Sequence, residues 1–258
     1  MSNRQMSVAG AFYPNSCQDI QSYIQYFNEI KMETIKPKFE PKAIISPHAG
    51  YVYSGFTANS AYKLINKRKF KRVVVVGPSH HVYFKGASVA LFDGYDTPCG
   101  ALLIDRAYSQ KLIDQYSFLG FNKAIHKEHS TETQFPFIWH YFHKVKVVEI
   151  IYGDMEYKEL AKVMKTILDE PETLLIVSTD LSHFHTLKEA NRIDSICIEG
   201  VKKLDIDRLD SGCEACGLLG VKALISVANQ TQIVDYRTSY DASKDDKRVV
   251  GYLSVLVA

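Results

Sequence analysis

The sequence predicts an α/β fold: one domain over residues 1–258, with a central mixed, mostly parallel sheet and helices on both faces. Three observations predict it. Short apolar runs at 43–46, 73–76 and 173–178, rich in β-branched residues, have the character of strands buried on both faces. Stretches with helical periodicity lie between these runs, so the strands and helices form layers. Two closing extended stretches, 232–237 and 249–257, form an antiparallel pair at one side, which makes the sheet mixed.

The elements follow in order. An extended N-terminal arm runs to about Pro14, and a helix over 18–30 follows with Asn15 or Ser16 as its cap. After strand 43–46 comes a Gly-Tyr loop, in which Gly50 and Gly55 around Tyr51 and Tyr53 allow tight turning, and then a helix over 57–65. Strand 72–76 leads through a long loop to a strand over 87–92. Helical periodicity returns at 106–116 and 131–142, where Pro136 must sit in the first turns or kink the helix. A strand at 145–151, a helix at 157–168 and the strand at 173–178 continue the pattern. Helices at 187–203 and 217–229 precede the closing pair. No internal repeat, low-complexity segment or linker interrupts the chain, and 258 residues suffice for one large core.

Bulk properties exclude several function classes. The chain is 46% hydrophobic and 23% charged, as in ordinary globular proteins. A net charge of +2 leaves neither a basic stripe for nucleic acid nor an acidic tail. The first six residues lack an apolar signal core, and no run approaches the ~18 apolar residues of a membrane span. The five cysteines (Cys17, Cys99, Cys197, Cys213, Cys216) are odd in number and scattered, which predicts a reducing cytoplasmic setting and no disulfide framework.

Chemistry-bearing residues sit just past the strand ends. Strand 43–46 delivers His48 after Pro47, strand 72–76 delivers His80 and His81 after Gly77-Pro78, and strand 173–178 delivers Asp180 and His183. In open α/β sheets ligands bind outside the carboxyl ends of the strands, so these groups are expected to converge on one site with the residue types of a transition-metal centre. His80 and His81 are adjacent and point to opposite sides, so one site readily uses only one of them. Cys213 and Cys216 precede a helix start, where the dipole and free amides favour a thiolate. Asp180 would orient a metal-bound histidine through its second ring nitrogen, and His183 would act as acid or base. The alternative is an N-cap formed by Asp180 or Ser182. The segment 128–134 resembles a capped helix start with Ser130 as cap, which leaves His129 and Glu132 to pair behind the site or to line the pocket. His126, His140, His143 and His185 are assigned to surface or packing roles.

The ordered set of short blocks from Ala9 to Tyr252 resembles the Memo family. The blocks are Ala9-Gly10-Ala11-Phe12-Tyr13-Pro14, Pro47-His48-Ala49-Gly50-Tyr51 with Ser54-Gly55, and Gly77-Pro78-Ser79-His80-His81. They continue with Glu128-His129-Ser130 with Glu132 and Pro136-Phe137, then Asp180-Leu181-Ser182-His183, Cys216-Gly217, Tyr236-Arg237-Thr238-Ser239 and Gly251-Tyr252. The resemblance implies the fold of class III extradiol dioxygenases, whose non-haem iron sits on two histidines and a glutamate. In Memo-like proteins two histidines and a cysteine form the corresponding pocket. Carried over, these are His48, His80 and Cys216 (the cysteine followed by glycine), with Asp180 and His183 lining the pocket. The thiol replaces the dioxygenase carboxylate, so ring cleavage is not implied. The resemblance also implies copper- or iron-dependent redox chemistry, phosphotyrosine-peptide signalling in animal members, and a radical-SAM protein beside many microbial ones.

The leading expectation is therefore a cytoplasmic metal-dependent oxidoreductase with an open His/His/Cys site. A soft thiolate favours copper, iron or zinc over magnesium or calcium. One alternative is a non-catalytic module holding a peptide or small anion in the same cleft, with contacts from Tyr51, Tyr53 and Arg237. Another is a metal-assisted hydrolase using His183 or Asp180 as base.

Overall fold

The computed structural model describes residues 2–30, 35–142 and 144–258. The chain begins with α1 (Cys17–Glu29), β1 (Ala43–Ser46), α2 (Tyr51–Ile65), β2 (Arg72–Pro78), β3 (Ala87–Val89), β4 (Gly94–Tyr95) and β5 (Leu102–Ile104). It continues through α3 (Arg106–Gln115), β6 (Leu119–Gly120), a 3₁₀ turn (Lys123–His126), α4 (His129–Glu132), α5 (Phe135–Tyr141), β7 (Lys146–Tyr152) and α6 (Tyr157–Leu168). It closes with β8 (Thr173–Ser178), β9 (His183–His185), α7 (Leu187–Lys203), α8 (Ile206–Asp210), α9 (Leu218–Ile225), β10 (Thr231–Thr238), α10 (Tyr240–Ser243) and β11 (Val249–Val257).

The strands form one mixed sheet in the order β10-β11-β1-β8-β2-β7-β3-β6. Its centre, β1-β8-β2-β7, is parallel, and β10 and β11 add the antiparallel pair at one edge. Alternation along each strand divides the core between two faces. Ile44, Val73, Val75, Leu174 and Ile176 pack under α1, α2 and α5. Ile45, Val74, Val76, Leu175 and Val177 pack under α6, α7 and α9. The helix α6 shows how sequence periodicity produces this: Leu160, Val163, Met164 and Ile167 fall on one buried stripe. Burial of each such side chain contributes ~1.5–3 kcal/mol. Caps fix the helix starts, with the side chains of Ser16, Asp105 and Thr186 accepting first-turn amides.

Several boundaries differ from the sequence reading. The helix expected from residue 57 starts at Tyr51, because the Tyr51 amide finds the Phe12 carbonyl of the N-terminal arm at 2.7 Å. Gly55 then serves contact rather than turning, since a Cβ there would lie 2.7 Å from the Phe27 ring. The helix expected over 131–142 is two helices, α4 and α5, with Pro136 in the first turn of α5. The strand expected over 87–92 is three residues long, and the helix expected over 217–229 ends at Ile225. Among the described residues no helix is long and apolar enough to cross a membrane.

The cysteine expectation is overturned. Cys17 is bonded to Cys99 and Cys197 to Cys213, with Cα separations of 4.6 and 4.8 Å. Sequence separations of 82 and 16 gave no sign that these pairs meet, because each is brought together by tertiary packing. Cys213 is thus held in a disulfide, and Cys216 is the free cysteine.

Candidate metal centre

Strand register brings three candidate groups level. β1, β8 and β2 run parallel side by side, with Ser46 opposite Ser178 and Val76 opposite Val177. Each ends two residues before a candidate group: His48, Asp180 or His80. The helix after β1 covers one face and the helix after β8 covers the other. The exits thus flank a crevice of the kind that holds ligands in open α/β sheets.

His48 is 2% exposed. Its amide donates to Asp180 Oδ1 at 2.8 Å, and its ring Nδ1 lies 3.1 Å from Ser178 Oγ. The Gln134 side-chain amide donates to Ser178 Oγ at 3.0 Å and to the Pro47 carbonyl at 2.9 Å, which locks this corner. Asp180 thus holds the main chain of His48, and Ser178 meets the ring nitrogen that Asp180 was expected to meet. Burial, with His80 and His129 nearby, keeps the His48 pKa well below its ordinary value, so the ring is neutral and can offer a lone pair.

His80 is held differently. Its amide donates to Glu128 Oε2 at 2.7 Å and its Nδ1 lies 3.0 Å from Glu128 Oε1. Burial alone would raise the Glu128 pKa. Hydrogen bonds from His129, His80 and the amides of His80 and Ser130 outweigh it and hold the carboxyl well below the usual range. An ionised carboxylate accepts only, so Nδ1 carries the hydrogen and Nε2 is free. This is how metal-ligating histidines are ordinarily oriented. Sequence reasoning missed Glu128, because it named Ser130 as the cap. In the structure Glu128 caps α4 by accepting the Ser130 amide, while Ser130 Oγ donates to the Pro78 carbonyl at 2.7 Å. The one sequence sign was an acidic residue immediately before His129.

Cys216 completes the group. Its Sγ lies 3.3 Å from His48 Nε2 and accepts the Asp180 amide at 3.3 Å. The next residue must be small, because a Cβ on Gly217 would lie 2.7 Å from Thr179. The ligand atoms of His48, His80 and Cys216 all fall within 4.8 Å of one another. The depressed thiol pKa expected from the helix start is not found. Burial, then the Asp180 charge, pushes it up to about 12. A coordinated cation would reverse this and deprotonate the thiol.

The remaining candidates divide. Asp180 is buried beneath His48, and burial raises its pKa against the His48 amide that opposes the shift. His183 lies in β9 opposite Val250 of β11, half-buried, and its charge acts on both Asp180 and His48. Neither Asp180 nor Ser182 starts a helix; Thr186 caps α7, so the N-cap alternative fails. The His129 ring packs 4.4 Å from that of His80 and 5.4 Å from that of His48, while His81 is exposed. Glu132 does not pair with His129. It accepts the Ser7 and Val8 amides and the Tyr13 hydroxyl, and pairs with Arg4, which fastens the arm to α4.

Tyr51 is buried with its hydroxyl on the Thr133 carbonyl, so it is not available to a ligand, and Arg237 is engaged by Asp235 and the Phe56 ring. His126 is buried against Glu149, and His185 meets Glu214 at 2.7 Å. His140 packs on Tyr141, and His143 lies outside the described residues. His80, His81, Tyr83, Tyr152, Cys216 and Leu219 line a cleft of about 570 Å³.

Fold and site together define an α/β protein with an imidazole- and thiol-lined crevice at its strand ends. The chain belongs to the Memo family, whose model, described as Memo-like protein, matches residues 4–256. It is 32% identical to a MEMO1 family protein of Aquifex aeolicus, covering 98% of each chain. It is 30% identical to one of Methanobrevibacter smithii, covering 97% of this chain and 98% of the relative. Among solved structures, an uncharacterized protein of Escherichia coli K12 shares the fold. Its TM-score is 0.55 and its identity 14%, over 85% of this chain and all of that one.

Proposed function

We propose that this Memo-family protein binds a transition metal, iron or copper with zinc as the alternative, on His48, His80 and Cys216, and acts as a metal-dependent oxidoreductase. One observation carries the reading: three donor atoms fall within 4.8 Å, and two of them belong to imidazoles whose other nitrogen is already engaged. The donor set suits the group, since neutral imidazoles and a soft thiolate select these metals over hard cations. Such a metal, when bound, supplies Lewis acidity and, as iron or copper, a one-electron couple. The chain's own residues do the rest. Asp180 fixes the His48 backbone, Glu128 fixes His80, and His183, whose charge reaches both His48 and Asp180, would exchange a proton with a bound small molecule or peptide. Of the three contacts expected for the non-catalytic peptide- or anion-binding alternative, Tyr51 is buried and Arg237 is engaged by Asp235 and the Phe56 ring, which leaves the exposed Tyr53.

Metal analysis of protein purified anaerobically tests the reading. Stoichiometric iron or copper is expected in the wild type and in Cys213→Ser, and loss of the metal in Cys216→Ser. Equal metal affinity in Cys216→Ser and wild type would remove the thiol from the site and with it the argument for redox chemistry. Stoichiometric zinc with ester hydrolysis would favour the hydrolase.

A further inference from the structure

The candidate metal centre occupies the carboxyl ends of the strands. At the opposite edge of the sheet, where the parallel strands begin, the fold gathers lysines from three stretches far apart in sequence. Register places these stretches side by side. The Lys146 amide donates to the Lys71 carbonyl at 3.0 Å, and the Lys71 amide to the Glu172 carbonyl at 2.8 Å. The Leu175 amide donates to the Lys42 carbonyl at 3.0 Å, and the Lys42 amide to the Val257 carbonyl at 2.9 Å. Beyond β11, the Lys38 amide donates to the Gln232 side chain of β10 at 2.9 Å. The line thus crosses the sheet from β10 to β7, a width of about 24 Å at the usual strand spacing.

Lys38, Lys42 and Lys146 lie on this line, Lys67 and Lys69 precede β2, and Lys144 precedes β7; all six are exposed. Lys42 Nζ reaches the Leu168 carbonyl, and none of the six forms an ion pair among the described residues. The neighbouring carboxylates are already taken: Glu40 by Arg68, Glu172 by Lys71 and Asp105 by Arg72. The helix ends do not require these lysines either, because Lys63 and Lys165 stand in the last turns of α2 and α6. The net charge of +2, read alone, excludes a basic stripe. Folding assembles one, because that sum averages this edge with the rest of the molecule.

We propose that this edge is a docking surface for the phosphate backbone of duplex nucleic acid, bound without regard to sequence. A duplex carries one charge per ~1.7 Å of its axis, so the lysine line spans about seven base pairs. A lysine ammonium is a point charge that meets phosphate without reading a base. The two arginines of the edge are spent on Glu40 and Asp105 and lie over the Phe70 and Tyr108 rings, which leaves no fork for a base edge. The exposed Leu103, opposite Lys146, makes an anionic lipid surface the competitor to test.

Docking at this edge does not involve the metal centre, so the protein is used as purified. Anisotropy of a labelled duplex of about 20 base pairs is read between about 50 and 200 mM KCl. Wild type should bind with a log–log salt slope of roughly −4 to −5, since each neutralised phosphate contributes about −0.9. A second duplex of unrelated sequence should bind equally well. Lys144→Gln combined with Lys146→Gln should reduce the slope by about 2. Lys158→Gln combined with Lys188→Gln, at the starts of α6 and α7 near the crevice end, should leave it unchanged. All four side chains are exposed, so the fold is expected to survive both changes. No binding at the lowest salt, a slope unmoved by the first pair, or an equal loss in the second overturns docking at this edge. Tighter binding to phosphatidylserine–phosphatidylcholine vesicles than to the duplex at the same salt would assign the edge to a lipid surface and overturn the nucleic-acid partner.

Discussion

Two histidine–glutamate pairs lie on either side of α4, and they behave in opposite ways. Glu128 faces His80 at the cleft, and His126 faces Glu149 in the interior. Both carboxylates are buried. Glu128 stays ionised because two amides, those of His80 and Ser130, point at it along with two imidazoles. Among the described residues Glu149 meets only the Thr131 hydroxyl and the His126 ring, and burial pushes its pKa up to about 8, against a weaker pull from Arg4. Burial, with Arg4 adding to it, pushes the His126 pKa down to about 3. One pair therefore carries charge beside the proposed metal site, and the other is a neutral hydrogen-bonded link in the core. The amides aimed at the carboxylate make the difference, and a count of histidines beside glutamates would miss it.

The largest expected effect separates the pairs by function. Glu128→Gln keeps shape but replaces an acceptor with a donor toward one imidazole, and should weaken metal affinity by roughly 10–100-fold, as is usual for groups that orient a ligand. Glu149→Gln should leave metal affinity at the wild-type value. Competition with a chromogenic chelator measures both. Equal losses in the two variants would mean that the pairs act as one network and that the contrast drawn here is false.

The same contrast explains what the sequence made legible. His48, His80 and Asp180 could be found because short apolar runs mark the strands, and parallel register then places whatever follows them at one edge. The β1, α6, β8, α7 and β11 boundaries coincide with the apolar periodicity, since burial alone decides them. The residues that orient the site were not legible. Glu128 and Ser178 act through contacts 48 and 130 residues distant in the chain, and no local pattern encodes those distances. The early start of α2 depends on the Phe12 carbonyl in the same way. The Cys216 pKa was misjudged because a helix start suggests a thiolate, whereas burial and Asp180 act from outside the helix. The two disulfides, too, depend on folds of the chain that cysteine spacing does not report.

A smaller effect sharpens the comparison through pH. The folded Glu149 pKa of about 8 is raised above the ordinary 4.5, so its contribution to stability is full at low pH and is lost as pH rises from 4.5 to 8. The folded His126 pKa of about 3 is lowered below 6.5, so the unfolded chain gains the proton first and stability is lost as pH falls from 6.5 to 3. Between 4.5 and 6.5 the two slopes oppose and cancel. Glu149→Gln removes one of them. Denaturant midpoints of metal-free protein should show the variant gaining stability relative to wild type as pH rises from 4.5 to 8, with no change in that difference below 4.5. A difference that stays constant from pH 4.5 to 8 would mean that Glu149 is ionised in the fold across that range.

The smallest effect tests the neutrality of the interior pair directly. Thr131 Oγ1 donates to Glu149 Oε1, and Thr131→Val keeps the side-chain shape while deleting that donor. The packing constraint is real, because the Thr131 methyl lies only 3.0 Å from where a Cβ on Gly77 would sit, so a larger residue would disturb β2. With Glu149 protonated, the substitution leaves a neutral carbonyl oxygen without one partner, which costs about 1–2 kcal/mol. With Glu149 ionised, it would take a donor from a buried charge, and losses of that kind run to roughly 3–5 kcal/mol. Unfolding at pH 6, below the raised Glu149 pKa, distinguishes the two. A loss in the smaller range, with metal affinity unchanged, assigns the interior pair to packing and leaves Glu128 as the carboxylate that serves the site. A loss in the larger range would make the two pairs electrostatically alike, and burial would then have to be offset at Glu149 by something other than amides.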